Sequence, residues 1–293
     1  MSRKNIALGF VSAALLLVVT TGCTSSPDEV SVPTDIDISK FSAVKAELNP
    51  ATEQIVMPID KYFLADDEIQ RVGVANAMLI ASCMEEAGFK FHTPEKQEAS
   101  QPSPDRVYGI WNREAAEVYG YTIPKLANSA SVDLEALNSA EAELSSGWDP
   151  AFESCAATTE LLPLLGKDYM DDSAQEITGP ATKIASDAYV LASATDAWAS
   201  AHADWSACLS ESGLKPPTEV TDVLPEVPEA LEEQIRAAVT DVDCKEETNY
   251  IHRVADLEAR YQAALIEGQT TALNGVSERV ADIRVRVDEI INQ

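Results

Sequence analysis

The chain has no Cys-x2-Cys, no His-Glu-x2-His and no His-x3-His, and only three histidines, His92, His202 and His252, in 293 residues. Those gaps argue against a zinc site and against metal-assisted hydrolysis. Positive charge is scarce: 21 lysines and arginines face 49 aspartates and glutamates, a net charge of −28. So acidic a surface repels phosphate backbones and anionic headgroups, which makes nucleic acid a poor partner. Aromatics amount to 6% of residues, and no strand-period run of useful length occurs. Without such a run a sheet has no amphipathic face to bury, so the class read from the sequence is all-α.

One long apolar run is present, Ile6 to Val19, and it is short for a membrane span. Arg3-Lys4 precede it and Thr20-Thr21-Gly22-Cys23 close it with small residues, the layout of an export signal over residues 1–22. Small residues directly before a cysteine resemble a bacterial lipoprotein signal, which implies cleavage behind Gly22 and acylation of Cys23, as by palmitate. The competing reading is an ordinary secretory signal with Cys23 left free. Loss of the leader removes Arg3 and Lys4, taking the charge from −28 to −30. What remains is enough chain for one large domain or two of modest size.

Five cysteines less a lipidated Cys23 leave four, an even number suited to an oxidising compartment. Four cysteines allow three connectivities. An internal echo favours one. Ile80-Ala81-Ser82-Cys83-Met84-Glu85-Glu86-Ala87-Gly88-Phe89-Lys90 and Trp205-Ser206-Ala207-Cys208-Leu209-Ser210-Glu211-Ser212-Gly213-Leu214-Lys215 both read as helix ends. In each, a glycine five residues past an inward cysteine supplies a left-handed cap, and the next apolar residue folds back. Each copy is followed by one further cysteine, so the expected pairs are Cys83–Cys155 and Cys208–Cys244. On the chain-entropy account each closure contributes roughly 4 kcal/mol.

The expected organisation is therefore a signal at 1–22 and an acidic flexible tether at 23–58, spanning roughly 35 Å as a coil. A first helical unit occupies 59–165, an acidic connector with Asp168, Asp171 and Asp172 occupies 166–179, and a second helical unit occupies 180–293. In the first unit, Asp66 is the expected N-cap of a helix ending at Gly88. A loop runs from Phe89 to Asp105. Short helices are expected over Arg113–Val118 and Asp133–Leu144, and one starting at Asp149-Pro150 and stopping near Pro163. In the second unit, Ile184, Ala188, Leu191, Thr195, Trp198, His202, Trp205 and Leu209 step by three and four, predicting one helix that begins beyond Gly179-Pro180. A Pro-rich bridge follows, with a short helix near Pro228 to Val239. The apolar positions from Cys244 through Ile251, Val254, Leu265, Val280, Ile283 and Ile290 then predict a long C-terminal helix. Unbroken, it would measure about 75 Å. Gly268 and Gly275 are its weak points, since glycine costs about 1 kcal/mol in a helix interior.

No constellation in this sequence carries a reaction. Ser212-x2-Lys215 and Ser42-x2-Lys45 match four residues of the penicillin-binding pattern without its companion motifs. Asp35-Ile36-Asp37-Ile38-Ser39 begins like a calcium loop, but Lys40 stands at the glycine position and Ala46 at the bidentate glutamate. His202 lies in the Trp198/Trp205 stripe and reads as a packed residue. The one stretch with the composition of a binding patch is Tyr108, Trp111, Tyr119 and Tyr121. The competing reading is that these aromatics pack their own segment onto the first unit. Neither cofactor nor metal is expected.

Several segments together resemble a group of actinobacterial cell-surface lipoproteins without assigned function. They are Gly22-Cys23, Pro58-Ile59-Asp60-Lys61-Tyr62, Cys83-Met84-x3-Gly88-Phe89, Tyr108-Gly109-Ile110, Tyr119-Gly120-Tyr121, Trp205-x2-Cys208-x4-Gly213 and Asp243-Cys244-Lys245-x2-Thr248. The resemblance implies export, lipid anchoring, a helical body and the two disulfides, and it brings no catalytic residue. Three functions follow as expectations. The first is a non-enzymatic envelope accessory protein that docks on a membrane or wall protein through a coiled-coil-like stripe over residues 250–290. The second is a lipoprotein binding a small ligand or wall glycan at residues 108–121. The third, an enzyme, has no residues to support it.

Overall fold

The computed structural model describes residues 36–94, 103–123, 133–167 and 172–293. Helix α8 (Tyr250–Gly268) is the axis on which the rest is laid, with ten buried residues on all sides of it. Helices α5 (Asp172–Ser193), α6 (Asp196–Glu211) and α7 (Leu231–Glu247) pack around it. Ala174, Ala181, Ala188 and Ala192 of α5 are fully buried, as are Ala255 and Ala259 of α8. Side chains that small let the two backbones approach closely, and α5 with α8 is the most extensive helix pair. Helix α9 (Thr270–Ile291) returns along α5 and α1 (Asp66–Glu86) and buries Leu273, Val276, Val280, Ile283, Val287 and Ile291. That face repeats every three, four and seven residues, as an amphipathic helix requires. Helices α2 (Arg113–Tyr119), α3 (Leu134–Leu144) and α4 (Trp148–Thr158) complete the helices among the described residues. The strands among the described residues form one antiparallel hairpin, β1 (Glu47–Asn49) with β2 (Gln54–Val56).

The all-α class holds, and both cysteine pairs form. Cys83 joins Cys155 and Cys208 joins Cys244, with Cα–Cα distances of 5.8 and 5.6 Å. Both helix-end copies close as the echo predicts. Gly88 and Gly213 have φ of 85° and 82°. In each, the N–H of the residue after glycine donates to a carbonyl five residues back, Phe89 to Met84 and Leu214 to Leu209. The glycine N–H donates to a carbonyl three back, Glu85 or Ser210, which completes a Schellman closure twice.

Four expectations change. The first concerns the tether. Residues from 36 onward lie on the fold, with Ala46, Ile55 and Met57 buried. The Ala46 N–H donates to Asp256 Oδ1 (3.1 Å) and the Ile59 N–H to Gln262 Oε1 (3.1 Å). Side chains of α8 thus satisfy this irregular backbone, which therefore needs no period of its own. Residues 1–35, Cys23 among them, lie outside the described residues.

The second change is that the two units share a core. Val72, Ala75, Leu162 and Leu165 of the first half sit in one cluster with Ile184, Trp198 and Val254 of the second. A smaller cluster of Ile80, Met84, Trp148 and Cys155, with Phe91 and Phe152 packed on it, stays local to α1 and α4.

Third, the stepped run from Ile184 to Leu209 is two helices. The Thr195 hydroxyl donates to the Ala192 carbonyl (2.7 Å) and accepts the Trp198 N–H (3.2 Å), capping α6 where the period alone predicts continuation. Upstream, α5 runs through Gly179-Pro180 and absorbs much of the expected connector. Proline costs one hydrogen bond of the ladder, and burial of the flanking alanines outweighs it. Asp168 and Asp171 lie outside the described residues.

Fourth, the long C-terminal run is three helices. It breaks at Asn249, which takes φ 53°, and again at Gln269, directly after Gly268. Gly275 stays inside α9, whose 22 residues make it long, about 33 Å. Smaller shifts occur at helix starts. Ala65, not Asp66, caps α1, its N–H held by Glu68 Oε2 at 2.9 Å. Gly147 precedes α4, which stops at Thr158, and α7 extends the expected Pro228–Val239 helix through Cys244 to Glu247.

Candidate functional site

The four aromatics of residues 108–121 do not converge. Tyr108 is 1% exposed, with its ring edge-on to Trp198 at 6.0 Å. Its hydroxyl donates to Glu258 Oε2 (2.6 Å), and Gln262 Nε2 donates to Glu258 Oε1 (2.9 Å). Burial, and secondly the Glu258 charge, push the Tyr108 hydroxyl well above the ordinary tyrosine range. Burial likewise pushes the Glu258 carboxyl up. Tyr108, Glu258, Gln262 and the Ile59 backbone are therefore one buried chain that pins the segment to α8. Tyr121 packs on Ala238 and Val242 of α7, and Tyr119 is exposed at the end of α2. Packing accounts for Tyr108 and Tyr121. Of the four, Trp111 lines the largest concavity described among these residues.

That cavity is a groove of about 630 Å³ between the hairpin, the start of α2 and the α7–α8 corner. Leu48, Pro50 and Ala51 form one wall, and Trp111 and Ile251 the other. Trp111 is fixed by its Nε1–H, which donates to the Asp105 carbonyl (3.1 Å). Asn112 joins the walls: its Oδ1 accepts the Ala115 N–H (2.9 Å) as the N-cap of α2, and its Nδ2 donates to the Pro50 carbonyl (2.9 Å). The rim carries Arg113 and Glu114 from α2, Glu246 from α7, and Asn249 and His252 from the corner. Asparagine tolerates the left-handed region better than most residues, and Asn249 there turns the chain so that Tyr250 enters the core.

Beneath the groove lies an ion pair removed from water. Lys245 and Asp241 side chains are 1% and 0% exposed, one helical turn apart on α7, with Nζ to Oδ2 at 3.2 Å. Lys245 Nζ also donates to the carbonyls of Ile110 (2.9 Å) and Val223 (3.3 Å), and sits 4.9 Å over the Trp205 ring. Trp205 Nε1 donates to Asp241 Oδ1 (2.8 Å). Burial pushes the Lys245 ammonium down and the Asp241 carboxyl up, and each partner's charge opposes that. An ammonium has three protons, and here all three have acceptors. Lys245 therefore lends the groove its stem, and its charge stays below with Ile110 ahead of α2, Asp241 of α7 and the loop at Val223.

The remaining candidates are apart from one another. His202 is buried edge-on to Trp205, its imidazole pushed down by burial against the raising influence of Asp222. His92 Nε2 lies 2.9 Å from Glu141. Among the described residues no group of three His, Cys, Asp or Glu is placed to hold a metal ion. No helix among them is long and apolar enough to cross a membrane.

The groove was hidden from the sequence for two reasons. Leu48, Pro50 and Ala51 fall in the stretch read as tether, and Glu246, Asn249 and His252 fall in the long C-terminal run, where no break was expected before Gly268. The available signal was Asn249 itself, the residue type that most readily replaces glycine at a left-handed helix break. Compared with family models, with curated proteins and with solved structures, the chain finds no match.

Proposed function

We propose that this chain is a lipid-anchored, extracytoplasmic protein of the cell envelope that binds a small ligand, without turnover, in the Trp111 groove. The observation that supports the reading is the groove itself, a 630 Å³ concavity with apolar walls and polar side chains on its rim. Cavities of that size and lining are the usual form of small-molecule sites. The accessory reading drew its motive from an unpartnered stripe over residues 250–290. In the fold that stripe covers α5, α6 and α1, so it leaves no long apolar face asking for another protein.

The neutral fluorescent probe N-phenylnaphthylamine tests the reading on the mature chain. Saturable one-to-one binding is expected. Ala51→Trp, at an exposed hairpin position, fills the groove without touching the core and should weaken binding at least about tenfold, the scale of losing one buried apolar contact surface. Tyr119→Ala should leave it unchanged. Binding that survives Ala51→Trp, or is absent from the parent chain, overturns the groove as the site.

A further inference from the structure

The groove's charges are unevenly engaged, and this assigns a chemistry to its ligand. Glu114 and Glu246 line it, and neither carboxylate has a hydrogen-bond or ion-pair partner among the described residues. The cations beside them are already occupied. Arg113 pairs through Nε with Glu117 (3.0 Å) and through Nη1 with Asp243, so its single charge faces two carboxylates. Lys245 has its three protons on Ile110, Val223 and Asp241. The rim is therefore anionic, above walls of Leu48, Pro50, Trp111 and Ile251.

We infer that the groove takes an amphipathic cation: an organic ammonium whose apolar body lies between the hairpin and Trp111 and whose charge faces Glu114 and Glu246. This rests on the groove being the binding site. An anion of the same shape would lose its water shell to meet two unopposed carboxylates, whereas an ammonium exchanges water for them. The field of the molecule points the same way, since a net charge of −28 raises the local concentration of cations and lowers that of anions. A neutral ligand would fit the walls and leave both carboxylates unused. Complementary charge sets which ligand is chosen more than how tightly it is held, so the inference concerns selectivity.

A matched series separates this inference from the one beneath it: naphthylmethylamine, naphthylmethanol and naphthoate share one apolar body and carry positive, zero and negative charge. Calorimetry on the mature chain at low salt should find the amine bound about tenfold tighter than the alcohol, the scale of two solvent-facing ion pairs. Naphthoate should bind more weakly than the alcohol. Raising the salt should shrink the amine's advantage, because exposed charges are screened. In the double variant Glu114→Gln/Glu246→Gln the amine's advantage over the alcohol should vanish, and an advantage that persists overturns the assignment of the charge to these two carboxylates. Equal affinities across the series, or preference for naphthoate, overturn the cationic ligand while leaving the groove as a site. Binding by none of the three overturns the groove reading itself.

Discussion

Lys245 and Asp241 lie so deep that each is tolerable only because the other is there. Removing two charges from water costs several kcal/mol per ion, and their attraction returns that only when the remaining donors and acceptors are satisfied. Here they are: two backbone carbonyls, the Trp205 N–H and the Trp205 ring complete the set. Lys245→Met leaves Asp241 buried and unpaired, and should lower stability in urea by about 3–5 kcal/mol. Adding Asp241→Leu should recover most of that, because no lone charge remains. A Lys245→Met variant with unchanged stability would show that the pair holds nothing together. At this scale the sequence was partly legible. Trp205 and Cys244 announce themselves as core, but nothing in Asp241-x3-Lys245 separates a buried pair from the many solvated pairs at the same helical spacing. The difference lies in Ile110 and Val223, which approach Lys245 from elements remote in the chain.

Helix ends were the most legible elements, because their signals are local. Gly88 and Gly213 hold the left-handed cap with identical hydrogen bonding, and a Cβ at Gly213 would meet no other atom within 4 Å. The same open space surrounds Gly275 inside α9. Alanine at the two positions therefore isolates backbone conformation from packing. Gly213→Ala should destabilise by about 1–2 kcal/mol, the cost of a left-handed L-residue. Gly275→Ala should stabilise by about 1 kcal/mol, the helix-propensity gain. Urea midpoints moving in the same direction for both would refute this account of the caps. Helix interiors were less legible. Thr195 and Asn249 break two strongly periodic runs because a period records which face is buried, not whether the axis continues. Pro180 shows the reverse: α5 passes through it because its alanines pack against α8 on both sides.

For the whole molecule, one shared core replaces two, so the chain joins its halves by burial, while each disulfide stays within its own half. Its disulfides act at different depths. Cys208–Cys244 ties α6 to α7 within the central cluster, and Cys83–Cys155 closes the peripheral one around Trp148. Membrane attachment is a separate matter, since the net charge disfavours an anionic lipid surface and acylation at Cys23 is the feature proposed to hold the protein there. The parent protein should sediment with membranes and enter a detergent phase, and Cys23→Ser should be recovered free of them. A parent protein found free would remove the anchor.

What the sequence by itself determined is whatever rests on neighbours a few residues away. The helical class and the capped ends at Gly88 and Gly213 belong there, and the cysteine pairing, across 72 and 36 residues, was read from each copy being followed by one further cysteine. What only the tertiary structure decided is whatever needs residues from distant segments. The seating of residues 36–59 depends on Asp256 and Gln262 of α8. The groove depends on a hairpin, a short helix and a corner meeting around Trp111. Local patterns record which side of an element avoids water, and a cavity forms where several such sides fail to close on one another, which depends on all of them at once.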